Sequence, residues 1–137
     1  MMKIKLAQSF VLCCAMLASA VPMLAHHSFA AEFDQGKPVK VTGTLTRVDW
    51  INPHIYIYVD SKDASGNSVT WAFESLPPNW FHKMGLERKM FTIGETVTIT
   101  GYGSKDGTKS LGWIKIVQFS DGRTIQVTSD NPNETTK

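Results

Sequence analysis

Residues two apart share a face through most of this chain, and that period of two is interrupted once by a helical stretch between the third and fourth alternating runs. Short strands that are apolar on one side must wrap around a common core, so the pattern restricts the fold to a small barrel or sandwich. The first run, Val39-Lys40-Val41-Thr42-Gly43-Thr44-Leu45-Thr46, alternates cleanly, and Gly43 suits a strand that bends around a barrel. Beyond Arg47 the phase changes. Val48 and Trp50 take the face that Thr44 and Thr46 held, which predicts a bulge, and Asn52-Pro53 ends the strand.

The second run, His54 to Asp60, places Ile55, Ile57 and Val59 on the core side and His54, Tyr56 and Tyr58 on the other. After a turn at Asp63-Ala64-Ser65-Gly66-Asn67, a third strand returns with Val69, Trp71 and Phe73 together, and Glu74 on the outward phase reads as solvated. Proline near the start and Gly85 just past the end predict a short helix over Pro78 to Met84, with Trp80 and Met84 one turn apart to seal an end of the barrel. Further strands follow at Thr96–Tyr102, Trp113–Phe119 and Thr124–Val127. The order gives an all-β fold: a small OB-fold-like, five- to six-stranded Greek-key barrel with one short helix between strands 3 and 4. It spans residues 37–128. A β-sandwich would want more strands and no helix at that point.

Residues 1–25 read as a signal peptide: Lys3 and Lys5, an apolar run from Phe10 to Ala18, then small residues. The run is too short to span a bilayer. Cleavage after Ala25 competes with cleavage after Ala20. Cys13 and Cys14 both fall in the leader, so the mature chain has no thiolate chemistry. Removal of 25 of 137 residues leaves 112, enough for one domain. Of the 14 Lys and Arg, two lie in the leader, leaving 12 against 12 Asp and Glu. A neutral, exported chain is a poor nucleic-acid partner. The expected setting is the bacterial periplasm or the exterior, with residues 26–36 as an N-terminal arm, 129–137 as a mobile tail, and no membrane span in the mature chain.

His26-His27-Ser28-Phe29-Ala30-Ala31-Glu32-Phe33-Asp34, Gly43 to Trp50 with Asn52-Pro53-His54, Trp71-Ala72-Phe73-Glu74 and Gly94 to Gly101 resemble a family of small exported bacterial proteins whose domain has no known function. The resemblance implies an exported single-domain protein and supplies no activity. The family more often has Gly-Trp after the helix and Lys-Pro-Gly-Asp before the fourth strand, where this chain has Gly85-Leu86 and Thr92-Ile93-Gly94-Glu95. Those departures touch packing and a turn.

The chemistry rests on the residues themselves. Cleavage after Ala25 would free the amine of His26, which with its own imidazole closes a metal chelate. Further imidazoles from His27 and His54 make a nitrogen-rich site suited to copper, Cu(II), above zinc. Neutral imidazoles and an α-amino pKa near ~7.7 predict binding at neutral pH and release in acid. The structural alternative puts His26 and His27 on a loose arm, His54 on the turn and His82 in solvent. A second reading from a different class is a metal-free module for a small organic molecule, a glycan or a periplasmic protein partner, bound on an aromatic face of Trp50, Asn52, His54, Tyr56 and Tyr58, with Trp113 as a further candidate. An enzyme has the least support: no nucleophile elbow, phosphate loop or Cys-His pair is present, and Asp49, Asp60 and Glu74 have no base partner that the sequence identifies.

Overall fold

The first strand carries the architecture. In the computed structural model, which describes residues 29–127, a helical turn α1 (Phe29–Glu32) runs into β1 (Phe33–Asp49), followed by β2 (Tyr56–Lys62), β3 (Ser68–Glu74), α2 (Pro78–Lys83), a 3-10 turn at Arg88–Met90, β4 (Thr96–Ser104), β5 (Leu111–Phe119) and β6 (Thr124–Gln126). The first half of β1 pairs with β4 and its second half with β2, both antiparallel, and the two partners overlap at Thr44. β2 pairs with β3 and β4 with β5, and a parallel pairing of β3 with β5 closes the circuit. This is the OB connectivity that the sequence predicts.

Closure demands close backbone approach, which explains two glycines. A Cβ on Gly43, at the handover on β1, would lie 2.1 Å from the carbonyl oxygen of Asp60. One on Gly101, where β4 shifts register against β5, would lie 1.8 Å from the carbonyl oxygen of Trp113. Neither position tolerates a side chain without moving a strand. The expected bulge in β1 falls between Leu45 and Arg47, so Leu45 and Val48 both reach the interior despite their odd spacing.

The interior is aliphatic and aromatic. Leu45, Ile55, Ile57, Val59, Phe73, Ile99, Ile114 and Val117 are completely buried, including the whole inward set expected for the second strand. One end is plugged by Phe81 of α2, with Leu86 and Phe91. The expectation that Trp80 and Met84 form this seal is corrected: Met84 is exposed and Trp80 only half-buried, with the Lys83 ammonium 5.2 Å from its ring centre. A helix of six residues presents little more than one side chain to the core, and the loop that follows supplies the rest.

Several boundaries also differ: β2 begins at Tyr56 rather than His54 and runs on to Lys62, and β4 runs on to Ser104. β1 begins at Phe33, ahead of the expected start of the barrel at residue 37, and residues 29–32 of the expected arm form a helical turn. β5 begins at Leu111. The expected leader, His26, His27 and the tail lie outside the described residues. No helix among the described residues is long and apolar enough to cross a membrane.

Candidate functional site

Strand register lines up one row of side chains on the outside of the barrel. Asp49 pairs with Tyr56, Tyr56 with Glu74, Glu74 with Trp113 and Trp113 with Tyr102, crossing five strands. At the centre sits Glu74, which is almost fully buried. Outward residues of a strand are normally solvated, so its burial requires a cover. His54 and Tyr56 close on its carboxylate, and the N-terminal arm covers Trp113, its register partner on β5.

Phe29 opens the turn α1 and Phe33 is the first residue of β1, and both close over Trp113 with ring centres 5.7 and 5.6 Å away. Phe29 also meets Tyr102 edge-on at 5.5 Å. Lys105 ties the arm down: its amide donates to the Glu32 carbonyl at 2.8 Å and its ammonium to the Ala30 carbonyl at 3.0 Å. The result is a second, external apolar cluster in which Trp113 is 5% exposed and its Nε1–H has no hydrogen-bond partner.

Beside this cluster, Glu74 holds two donors. Tyr56 donates its hydroxyl to Oε2 at 2.7 Å, and His54 Nδ1 makes a short contact with Oε1. Burial, and then the bond to Glu74 and its charge, push the Tyr56 phenol well above its ordinary pKa, so it stays a donor. With Glu74 as the acceptor, this bond is made by the tautomer of the imidazole that carries its proton on Nδ1. In the neutral imidazole the lone pair is therefore on Nε2. The main chain next to each partner is tied across the two strands, where Ile55 donates to the Leu76 carbonyl at 3.2 Å and Ser75 to the Ile55 carbonyl at 2.9 Å. The His54 ring stands edge-on to Trp113 at 6.2 Å.

A histidine whose Nδ1–H is held by a buried carboxylate is oriented as metal-binding histidines usually are. Among the described residues no group of three or more His, Cys, Asp or Glu is placed to hold an ion. His54 can thus contribute one ligand, and the other donors proposed for it, His26 and His27, precede the first described residue.

The remaining predicted site residues divide. Tyr56 and Tyr58 stack at 6.4 Å on the outer face, and the Arg47 guanidinium covers Tyr58 at 3.7 Å. Asn52 is exposed and joined to Pro53 by a cis peptide bond. Trp50 is apart from the tyrosines. It packs edge-on against Phe81 at 5.2 Å, at the plugged end, with His82 5.9 Å away. Trp113 faces outward as expected but is covered by the arm. Glu74, read from the sequence as solvated and without a base partner, is corrected to a buried carboxyl group in contact with His54 and Tyr56. Its signal was the hairpin register, which sets Glu74 opposite Tyr56, two residues from His54.

Fold and site together define a small OB-like barrel with an arm-covered, histidine-bearing external site. Residues 14–114 match the profile of DUF6152, a family of unknown function, and the chain belongs to that family. No curated protein matches it.

Proposed function

We propose that this is an exported protein of the bacterial periplasm or exterior, a small binding or accessory module that holds copper or another divalent metal at the junction of arm and barrel. The observation that carries this reading is the Glu74-held imidazole of His54, whose Nε2 is left as a donor beside the docked arm. Phe29 reaches Trp113, and Trp113 reaches His54, in two ring contacts. His27 and His26 stand two and three residues before Phe29, a reach of roughly 7–10 Å in extended chain. The amine and imidazole of His26, with His27 and His54, supply the nitrogen donors that favour Cu(II).

The test uses protein exported natively without an N-terminal tag. Its first residue is determined, and Cu(II) is titrated while EPR and visible absorbance are followed. A first residue of His26 and a His54→Ala variant that loses one nitrogen donor support the site. A start at Val21, or unchanged Cu(II) binding in His54→Ala, removes it.

The stacked Tyr56 and Tyr58 favour a second reading, a metal-free face for a small organic ligand, glycan or protein partner. Loss of ligand binding on Tyr58→Ala, with chelators without effect, would support that reading over the first.

A further inference from the structure

The end of the barrel opposite α2 is open. A cavity of about 680 Å³ lies there, between the start of β1, the β2–β3 turn and the β4–β5 loop. His54, Glu74 and Tyr56 are not among its lining residues, and Leu111 is the point where it adjoins the Phe29–Phe33–Trp113 cluster. Its size falls within the roughly 300–1,000 Å³ of small-molecule sites.

Its wall and its rim differ in kind. The wall is apolar: Val39, Val41, Val69, Trp71 and Leu111 line it, and Trp71 stacks on the buried Phe73 at 5.4 Å, continuing the cavity's surface into the core. Lys37, Lys40, Lys62 and Lys109 surround it. None of the four makes an ion pair among the described residues. Lys37 donates to the carbonyls of Ser104 and Lys105 and Lys62 to the Ser68 hydroxyl, neutral acceptors that leave both charges uncompensated. Two carboxylates stand against the four lysines, Asp63 in the lining and Asp106 in the β4–β5 loop, so the rim keeps an excess of positive charge. Asp63 accepts from the amides of Ser65 and Asn67, and Asp106 from the Ser104 hydroxyl and the Thr108 amide.

We infer that this open end binds a small amphiphilic organic anion, with its apolar body against Trp71 and the valines and its acidic head among the lysines. A neutral apolar ligand would leave the four ammonium groups unused, and a bare inorganic anion would leave the wall uncovered. An apolar body with one anionic end matches both.

The probe is 8-anilinonaphthalene-1-sulfonate, added to the folded, leader-free chain and displaced by dodecanoate below its micellar concentration. Dodecylammonium, with the same chain and the opposite charge, is the control. Dodecanoate is expected to displace the dye at least tenfold more effectively, with a preference that shrinks in high salt. The triple variant Lys40→Ala, Lys62→Ala, Lys109→Ala is expected to bind dodecanoate about tenfold more weakly while melting like the parent, since each exposed charge contributes modestly. Val69→Glu, which places a carboxylate in the cavity, should abolish displacement. Equal displacement by the two surfactants, unchanged affinity in the triple variant, or binding seen only on anionic vesicles and not with monomeric acid would overturn the inference. Cu(II) titration of the triple variant, expected to be unaltered, keeps this outcome separate from that of the His54 site.

Discussion

Removing the Glu74 carboxylate should cost more than its position on the outer face of a strand suggests. Glu74 is 4% exposed and accepts from both His54 and Tyr56. In Glu74→Ala the charge-assisted bond to His54 is lost and a largely buried donor is orphaned, at about 1.5–3 kcal/mol. Tyr56 is only half-buried, so water can serve its hydroxyl and the second loss adds on the order of 0.5–1 kcal/mol. The expected total is about 2–4 kcal/mol, a sizeable share of the roughly 5–15 kcal/mol that holds a domain together. Glu74→Gln should cost about half as much, because its carbonyl can still accept from Nδ1–H and its amide can donate to the phenol oxygen. Urea melts of the three proteins at neutral pH, with unchanged m values, measure this directly. A cycle with Tyr56→Phe should show coupling of about 0.5 kcal/mol or more. A loss of less than about 1 kcal/mol in Glu74→Ala, or an additive cycle, would refute this role for the carboxylate.

Other expectations follow from the same geometry. Tyr56 has a raised pKa in the fold, so its contribution to stability is complete below the ordinary phenol value of 10.0 and declines as pH rises past it. Chemical melts between pH 9 and pH 11, about one unit either side of that value, should therefore show a falling limb that Tyr56→Phe flattens. Gly101→Ala should prevent folding or cost on the order of 3 kcal/mol or more, since its Cβ meets a backbone carbonyl that cannot swing aside; near-normal thermal melting would contradict the close approach. Phe81→Ala should destabilise by about 3–5 kcal/mol in denaturant melts through the cavity left in the plug, without altering Cu(II) binding. Ser75 is fully buried with an unpartnered hydroxyl, so Ser75→Ala should be neutral or stabilising by up to about 1 kcal/mol in the same melts.

The alternating pattern carried the barrel and its interior because burial on one face of a strand is a local property. Ile55, Ile57 and Val59 could be placed from their spacing alone, and the bulge before Val48 from a broken phase. The site was harder to read. Glu74 and Trp113 are outward by phase yet buried: Phe29 and Phe33, eighty or more residues away in sequence, fold over Trp113, and His54 and Tyr56 close on Glu74. Periodicity within a strand carries no information about such a cover. The plug escaped for a related reason. A helix of six residues has too few positions to define a face, and the loop geometry that turns Phe81 inward, and leaves Met84 outside, is not written in the spacing.

The circuit of strands is completed by only three residue pairs, Ala72–Leu111, Phe73–Gly112 and Glu74–Trp113. That makes the β3–β5 seam the narrowest fastening of the whole hoop, and its last rung is the one that supports His54. A ligand held at His54, as proposed, would therefore also clamp the seam. Occupancy and resistance to opening would become one quantity, readable as slowed amide exchange at Ala72 and Gly112.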